Sequence, residues 1–280
     1  MDVKDKHRIS IFKKMCLIRE FEKHVIKHIE NKNIQTPCYL CLGQEVVPSV
    51  LAEFCKGWMI FPQHRCHGIY LAMGGDPSKL RDELLLRPTG TSGGRAGSNC
   101  LQSHGCGIDI YGHHGLSGEN VPIGVGACLG KDGKCSTLCI FGDGAAEEDY
   151  VLSAMGFAVT HKLPVLFICE DNDLCVLTKV KERRSWKLAD VARGFGLRAY
   201  DIPDSLNLIC DRVGLVLDNL PALINIHVTR ERWHVGNGTD GVDQSVVYDQ
   251  ARWVLDKSVD CDVISIENTI KAEMDVVWSI

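Results

Sequence analysis

The stretch Thr137-Leu-Cys-Ile-Phe-Gly142-Asp143-Gly144-Ala145-Ala146, completed by Leu163-Pro-Val-Leu-Phe-Ile-Cys-Glu-Asp-Asn172, decides how this chain is read. Thr137 to Phe141 is a short uncharged apolar run that ends in Gly-Asp-Gly. Between the two runs Tyr150, Val151, Ala154, Phe157 and Ala158 recur at helical spacing, and Pro164 stops that helix. Val165 to Cys169 is the second run. Strand, helix and strand at this length predict one βαβ unit with both strands buried in a parallel sheet.

Neighbouring parallel strands share one carboxyl edge, and ligands bind in the crevice there. Asp143 ends the first strand and Asn172, 29 positions on, ends the second. Two oxygen donors suit a hard cation such as Mg²⁺, which takes its remaining ligands from water and phosphate. Gly142 and Gly144 let backbone approach a phosphate, and a helix starting near Ala145 would aim N–H groups at it. On Gly-Asp-Gly alone, a tight turn with a capping Asp explains the pattern. Asn172 tips the reading to metal plus diphosphate.

Gly142-Asp143-Gly144 with Asn172 at this distance resembles the thiamine-diphosphate motif. The flanking text, Gly-Asp-Gly-Ala-Ala and Lys-Leu-Pro-Val-Leu-Phe-Ile-Cys-Glu-Asp-Asn, is similar to the α subunit of the first component of 2-oxo acid dehydrogenase complexes (pyruvate, branched-chain or acetoin type). The likeness runs, with gaps, from about Met15 to the end. It implies an α/β, parallel-sheet thiamine-diphosphate-binding fold with helices on both faces. One such domain would fill 1–280, with an N-terminal helical arm over 8–31 and C-terminal helices over 244–280.

Composition is compatible with this. A chain of 280 residues can bury a substantial core. A net charge of −5 argues against a general nucleic-acid surface, so a polyanion site must rely on local cations. No stretch approaches a membrane span and the N-terminus has no signal-type apolar core, which predicts a cytoplasmic protein. Several of the fourteen cysteines (Cys128, Cys139, Cys169) sit inside apolar runs, as reduced buried thiols do. Cys38-x-x-Cys41 lacks a second pair, and the spacing of Cys100, His104, Cys106, His113 and His114 matches no zinc pattern.

Elsewhere, helical periodicity covers 8–31, with Ile9, Phe12, Cys16, Phe21, Val25 and Ile29 apolar. The resemblance makes this a helix packed on partner subunits; the pattern alone fits a surface helix of the same domain equally well. Val46 to Phe54 reads as a short helix, and Asp76-Pro77 starts another. Gly90 to Ser98 is glycine-dense and reads as a flexible loop. Helices are expected over 188–195, 206–217, 244–258 and 263–278, with strands over 199–202 and 222–228.

The resemblance assigns roles by position. In His64-Arg65-Cys66-His67-Gly68, Arg65 would bind the diphosphate, His64 would help, and His67, counted with His234 among the catalytic groups, would support from deeper in the site. Gly115 and Ser117 fall on backbone contacts to the aminopyrimidine ring. Gly142, Asp143, Gly144 and Ala145 would meet the diphosphate. Asp143, Asn172 and the Leu174 carbonyl would hold Mg²⁺. Arg230 would be a second cationic clamp, with His234 as the catalytic group over the reactive carbon. The glycine-rich run after His234, residues 236–241, is expected to order only around bound cofactor.

The chain is expected to work with a β subunit (α₂β₂), which supplies the activating carboxylate, and to be inactive alone. A small 2-oxo acid is the expected substrate and a lipoyl acyltransferase the acceptor. Departures from the family pattern are Tyr39 and Cys100 in place of histidines, and Glu147 and Asp149 in the turn after Gly-Asp-Gly. They leave two alternatives open: a transketolase-like or carboligase α subunit, and a catalytically silent scaffold.

Overall fold

In the computed structural model of the protein, residues 3–105, 107–239, 248–249, 251–252, 255 and 262–279 are described. The chain divides into two compact units. One comprises Met1–Glu53, Arg65–Ser103 and Arg230–Ile280; the other comprises Phe54–His64 and His104–Thr229.

The second unit holds the sheet. Its strands are β1 (Met59–Phe61), β2 (Ser103–Gly105), β3 (Ile108–Ile110), β4 (Thr137–Gly142), β5 (Val165–Asp171), β8 (Arg198–Pro203) and β9 (Ala222–His227). A separate antiparallel hairpin pairs β6 (Leu174–Cys175) with β7 (Thr178–Lys179). The sheet order is β2-β3-β1-β4-β5-β9-β8. The pairs from β3 through β1, β4, β5 and β9 to β8 are parallel. All seven residues of β5 are buried, as a central parallel strand with both faces covered requires. Between β4 and β5 runs the helix Asp149–Thr160, and its inward Val151, Ala154, Met155 and Ala158 meet Phe141, Phe167 and Cys169 in one core.

The βαβ unit forms as expected, with one difference. Gly144 leads into a 3₁₀ turn, Ala145–Glu147, after which Glu148 is extended and the α-helix starts only at Asp149. Glu147 N–H and Glu148 N–H are spent on the Gly144 and Ala145 carbonyls. The expected helix N-terminus at Ala145 therefore does not exist. The acidic run Glu147-Glu148-Asp149 favours an N-cap region later in the chain.

In the first unit the helix Val3–Glu30 buries Ile11, Phe12, Met15, Ile18, Phe21 and Val25. Each such burial contributes about 2 kcal/mol. Phe12 and Cys16 pack with Val263 and Ile270 of the C-terminal helix Val263–Val277. Trp278 completes that seam against Phe21, ring centroids 5.2 Å apart, and stacks on His24. The apolar face of the arm is thus consumed inside its own unit. Asp76 caps Pro77–Leu84 by accepting the Ser78 N–H at 2.8 Å. The helix expected over 244–258 lies largely outside the described residues.

Gly90–Ser98 is not a flexible linker. It wraps the buried Glu83 carboxylate, whose Oε2 accepts the Ser92 and Gly94 N–H groups at 2.7 and 3.0 Å. Its Oε1 accepts those of Ala96 and Gly97 at 2.7 and 3.2 Å. Positive φ at Gly93, Gly94 and Gly97 turns these amides inward. The anion that the glycines approach is the chain's own side chain.

Candidate functional site

In the second unit, register brings the motif residues together. Gly142 pairs with Glu170 across β4 and β5, so Asp143 and Asp171 follow side by side and Asn172 is next. The turn after β5 folds over the motif: a Cβ on Gly144 would lie 2.7 Å from the Cys175 Sγ. The neighbouring loop by itself therefore requires glycine at 144. Asn172 Oδ1 accepts the Leu174 N–H at 3.1 Å, which holds the turn.

Asp143 is 1% exposed. Burial, then the neighbouring Asp171 charge, raise its carboxyl above the ordinary value, while Arg183 opposes them. Arg183 pairs with the Asp143 carboxylate through Nη2 and with Glu147 through Nη1. Arg184 donates to the Asp143 carbonyl at 2.7 Å and to Glu147 Oε1 at 3.1 Å. Neither arginine stands out from the sequence as a site residue. Their one signal is a basic Lys-Glu-Arg-Arg run shortly after an acid-rich strand end.

This bears on whether Mg²⁺ fits. The donor types are right for a hard cation: the buried Asp143 carboxylate after β4, with the Asn172 amide oxygen and the Leu174 carbonyl on the turn after β5. The carboxylate also demands positive charge, which a guanidinium supplies. The set fits a divalent cation on condition that Arg183 leaves Asp143. Among the described residues no three His, Cys, Asp or Glu side chains form another metal cluster.

A second group of polar residues extends along the same edge. Asn225 Nδ2 donates to Asp201 at 2.8 Å and to Asp171 at 3.2 Å, and His227 Nε2 lies 2.8 Å from Asp201. These side chains tie the carboxyl ends of β5, β8 and β9. On the other side Asn120 Nδ2 donates to the Phe61 and Ile140 carbonyls, at 2.8 and 2.7 Å, and ties β1 to β4. His64 meets His113 edge-to-face at 6.1 Å, and His113 Nδ1 accepts the Gly115 N–H at 2.9 Å. Gly115 has φ +103°, which glycine adopts without strain. The Ser117 carbonyl accepts the Tyr150 hydroxyl.

The first unit holds the remaining expected residues. Arg65 is buried and donates from Nη1 to the Leu40 carbonyl at 2.9 Å and from Nη2 to the His234 carbonyl at 3.0 Å. It thereby anchors the His234 loop. Burial, then the charges of Arg65 and the buried Arg230, lower His234 to about 4, so its ring is neutral at pH 7. The Tyr39 ring meets His234 edge-on at 5.4 Å. The loop has more shape than its glycines suggest: Arg232 bridges Thr239, and Gly236 N–H donates to the Cys38 carbonyl at 2.8 Å.

His67, expected among the catalytic groups, is fully buried, with Nδ1 2.8 Å from Glu22 and Nε2 2.8 Å from Ser98 Oγ. Ser98 Oγ in turn accepts the Tyr39 N–H at 2.9 Å. Both ring nitrogens have partners within the first unit, and through Ser98 the ring is linked to the Tyr39 backbone. No disulfide joins the described cysteines, and burial pushes the Cys55 and Cys66 thiols up to about 12.

A parallel sheet with these donors at its carboxyl edge defines a thiamine-diphosphate-binding fold of the transketolase kind. A transketolase from Campylobacter jejuni superposes with a TM-score of 0.64 over 99% of this chain and 49% of its own, at 12% identity. The Pichia stipitis enzyme gives 0.56 over 97% and 45%, at 14% identity. At that identity the likeness concerns the fold. The sequence profile described as "Dehydrogenase E1 component" matches residues 13–201. The chain belongs to the dehydrogenase E1 component family, as an α-type chain of the thiamine-diphosphate-dependent 2-oxo acid dehydrogenases.

Among its relatives, the pyruvate dehydrogenase E1 component subunit alpha of Rickettsia prowazekii is 31% identical over 81% of this chain and 72% of its own length. The mitochondrial subunit of the same name from Chaetomium thermophilum is 31% identical over 61% of this chain and 42% of its own. The chain thus spans from under half to about three quarters of these relatives, and about half of the transketolases.

Proposed function

We propose that this chain is the subunit that anchors the magnesium–diphosphate end of thiamine diphosphate, in an enzyme that decarboxylates a small 2-oxo acid and passes on the acyl group. One observation carries the reading: a buried aspartate at the end of β4 demands a cation beside the Asn172–Cys175 turn. When bound, the cofactor supplies a nucleophilic carbon and an electron sink. Asp143, the Asn172 amide oxygen and the Leu174 carbonyl hold Mg²⁺. Gly142, Gly144 and Ala145 line the diphosphate, and Gly115 and Ser117 present backbone to the pyrimidine, with His64 behind Gly115.

In the first unit, Arg65 and Arg230 are anion ligands, and burial together with their charge keeps the His234 imidazole neutral and able to accept a proton. Binding of an anion there would cancel that charge and raise the His234 pKa, readying it to donate. His67, through Ser98, positions Tyr39 against the same ring. A β-type partner in an α₂β₂ assembly supplies the carboxylate that activates the cofactor. Among the described residues no helix is long and apolar enough to cross a membrane, and the buried thiols favour the cytoplasm. A lipoyl acyltransferase takes the acyl group.

The test is calorimetry with Mg²⁺ and thiamine diphosphate on the chain co-purified with its β-type partner, followed by a 2-oxo acid screen with an artificial electron acceptor. Wild type should bind, and Asp143→Ala should bind about 100-fold more weakly, roughly 2.7 kcal/mol. Equal binding, or none, would remove the enzyme reading and leave a scaffold. Binding with a hydroxyketone product and no oxidation would assign a carboligase.

A further inference from the structure

The segment that follows Asn172 folds back on the site it serves. Asp173 accepts the Val180 N–H through its carbonyl at 3.2 Å and through Oδ1 at 3.1 Å, which closes the β6–β7 hairpin. A single helical turn, Val180–Arg183, then delivers two arginines to Asp143. They are held differently. Arg184 binds the Asp143 carbonyl, reaches within 3.9 Å of Asp171, and stacks on Trp186 at 4.9 Å. Its side chain is 3% exposed, and it is a fixed strut. The Arg183 side chain is 12% exposed, and its Nε donates to the Thr178 carbonyl at 3.2 Å. Its terminal nitrogens meet the carboxylates of Asp143 and Glu147.

Arg183 occupies Asp143 Oδ2, and a guanidinium and a divalent cation held on one carboxylate repel each other at close range. The geometry points to Arg183 as a displaceable latch, a resident cation on Asp143 that must release before the divalent metal can seat. This rests on the magnesium–diphosphate reading above. It assigns Arg183 to metal loading rather than to diphosphate binding. Glu147, already paired with both arginines, is where the released guanidinium stays tethered. That gives a purpose to an acidic residue beside a polyanion site. Without the latch, Asp143 and Asp171 would face each other with Arg184 alone between them.

The experiment is a Mn²⁺ titration, with thiamine diphosphate present, of the chain co-purified with its β-type partner; free Mn²⁺ is read by electron paramagnetic resonance. Arg183→Gln should bind Mn²⁺ about tenfold more tightly than wild type. It should also melt at a lower temperature without metal, with the gap closing once metal is added. Arg183→Lys keeps the charge and preserves the fold; it should fall between the two, and it carries the test if the glutamine variant does not fold. Equal affinity in wild type and both variants, alongside lost binding in Asp143→Asn, would overturn the latch and leave the cofactor reading standing. Weaker binding by Arg183→Gln would make Arg183 a diphosphate ligand and overturn the latch. No Mn²⁺ binding by wild type or either Arg183 variant would overturn the cofactor reading, and the latch with it.

Discussion

At the scale of single residues, His234 and Gly144 show how the surroundings set chemistry. The His234 pKa is lowered to about 4 from an ordinary value of 6.5. Between those values the unfolded chain carries a proton that the folded chain refuses, so stability is lost as pH falls from about 6.5 through 4. Arg65 and Arg230 drive part of this. His234→Gln should therefore flatten the decline in melting temperature between pH 7 and 4, and nitrogen-15 NMR of the wild-type ring should show it neutral at pH 6. For Gly144, the added methyl of Gly144→Ala would collide with Cys175. Urea melts should show a cost of about 1–3 kcal/mol, largely recovered in Gly144→Ala/Cys175→Gly. Independent effects of the two substitutions would mean that the turn does not press on the motif.

At the scale of elements, buried polar side chains clamp segments that backbone alone leaves loose. Glu83 organises the glycine-dense loop by accepting four of its N–H groups. Glu83→Ala should cost about 3 kcal/mol or more in chemical denaturation, because four part-buried amides lose one charged acceptor. Proteolysis within 90–98 should rise in parallel. Asn120 plays the same part for β1 and β4. Asn120→Ala leaves the Phe61 and Ile140 carbonyls without that donor and should cost about 2 kcal/mol by thermal unfolding; a neutral result would mean that other donors replace it.

At the scale of the whole molecule, the sheet unit carries Asp143, Asn172 and Leu174, and the other unit carries Arg65, Arg230 and His234. The C-terminal helix is a structural partner of the N-terminal one: Trp278 packs on Phe21, His24 and His28. Trp278→Ala should destabilise by about 3–4 kcal/mol, read as a lower melting temperature of the co-purified assembly. An unchanged melt would show that the two helices contribute little to one another.

What the amino-acid sequence determined by itself was local or periodic. The uncharged apolar runs Thr137–Phe141 and Val165–Cys169 specified buried parallel strands, since strands covered on both faces read as near-continuous apolar runs, with the charges of β5 confined to its carboxyl end. Pro77 after Asp76 and Pro164 after the helix set boundaries through backbone sterics. Tertiary structure alone decided which charges meet. Arg183 is 40 positions from Asp143, Glu22 is 45 from His67, and Arg65 is 169 from His234. No period in the sequence encodes such separations, because a charged side chain obeys Coulomb's law over a few ångströms of folded space and not over residues of chain.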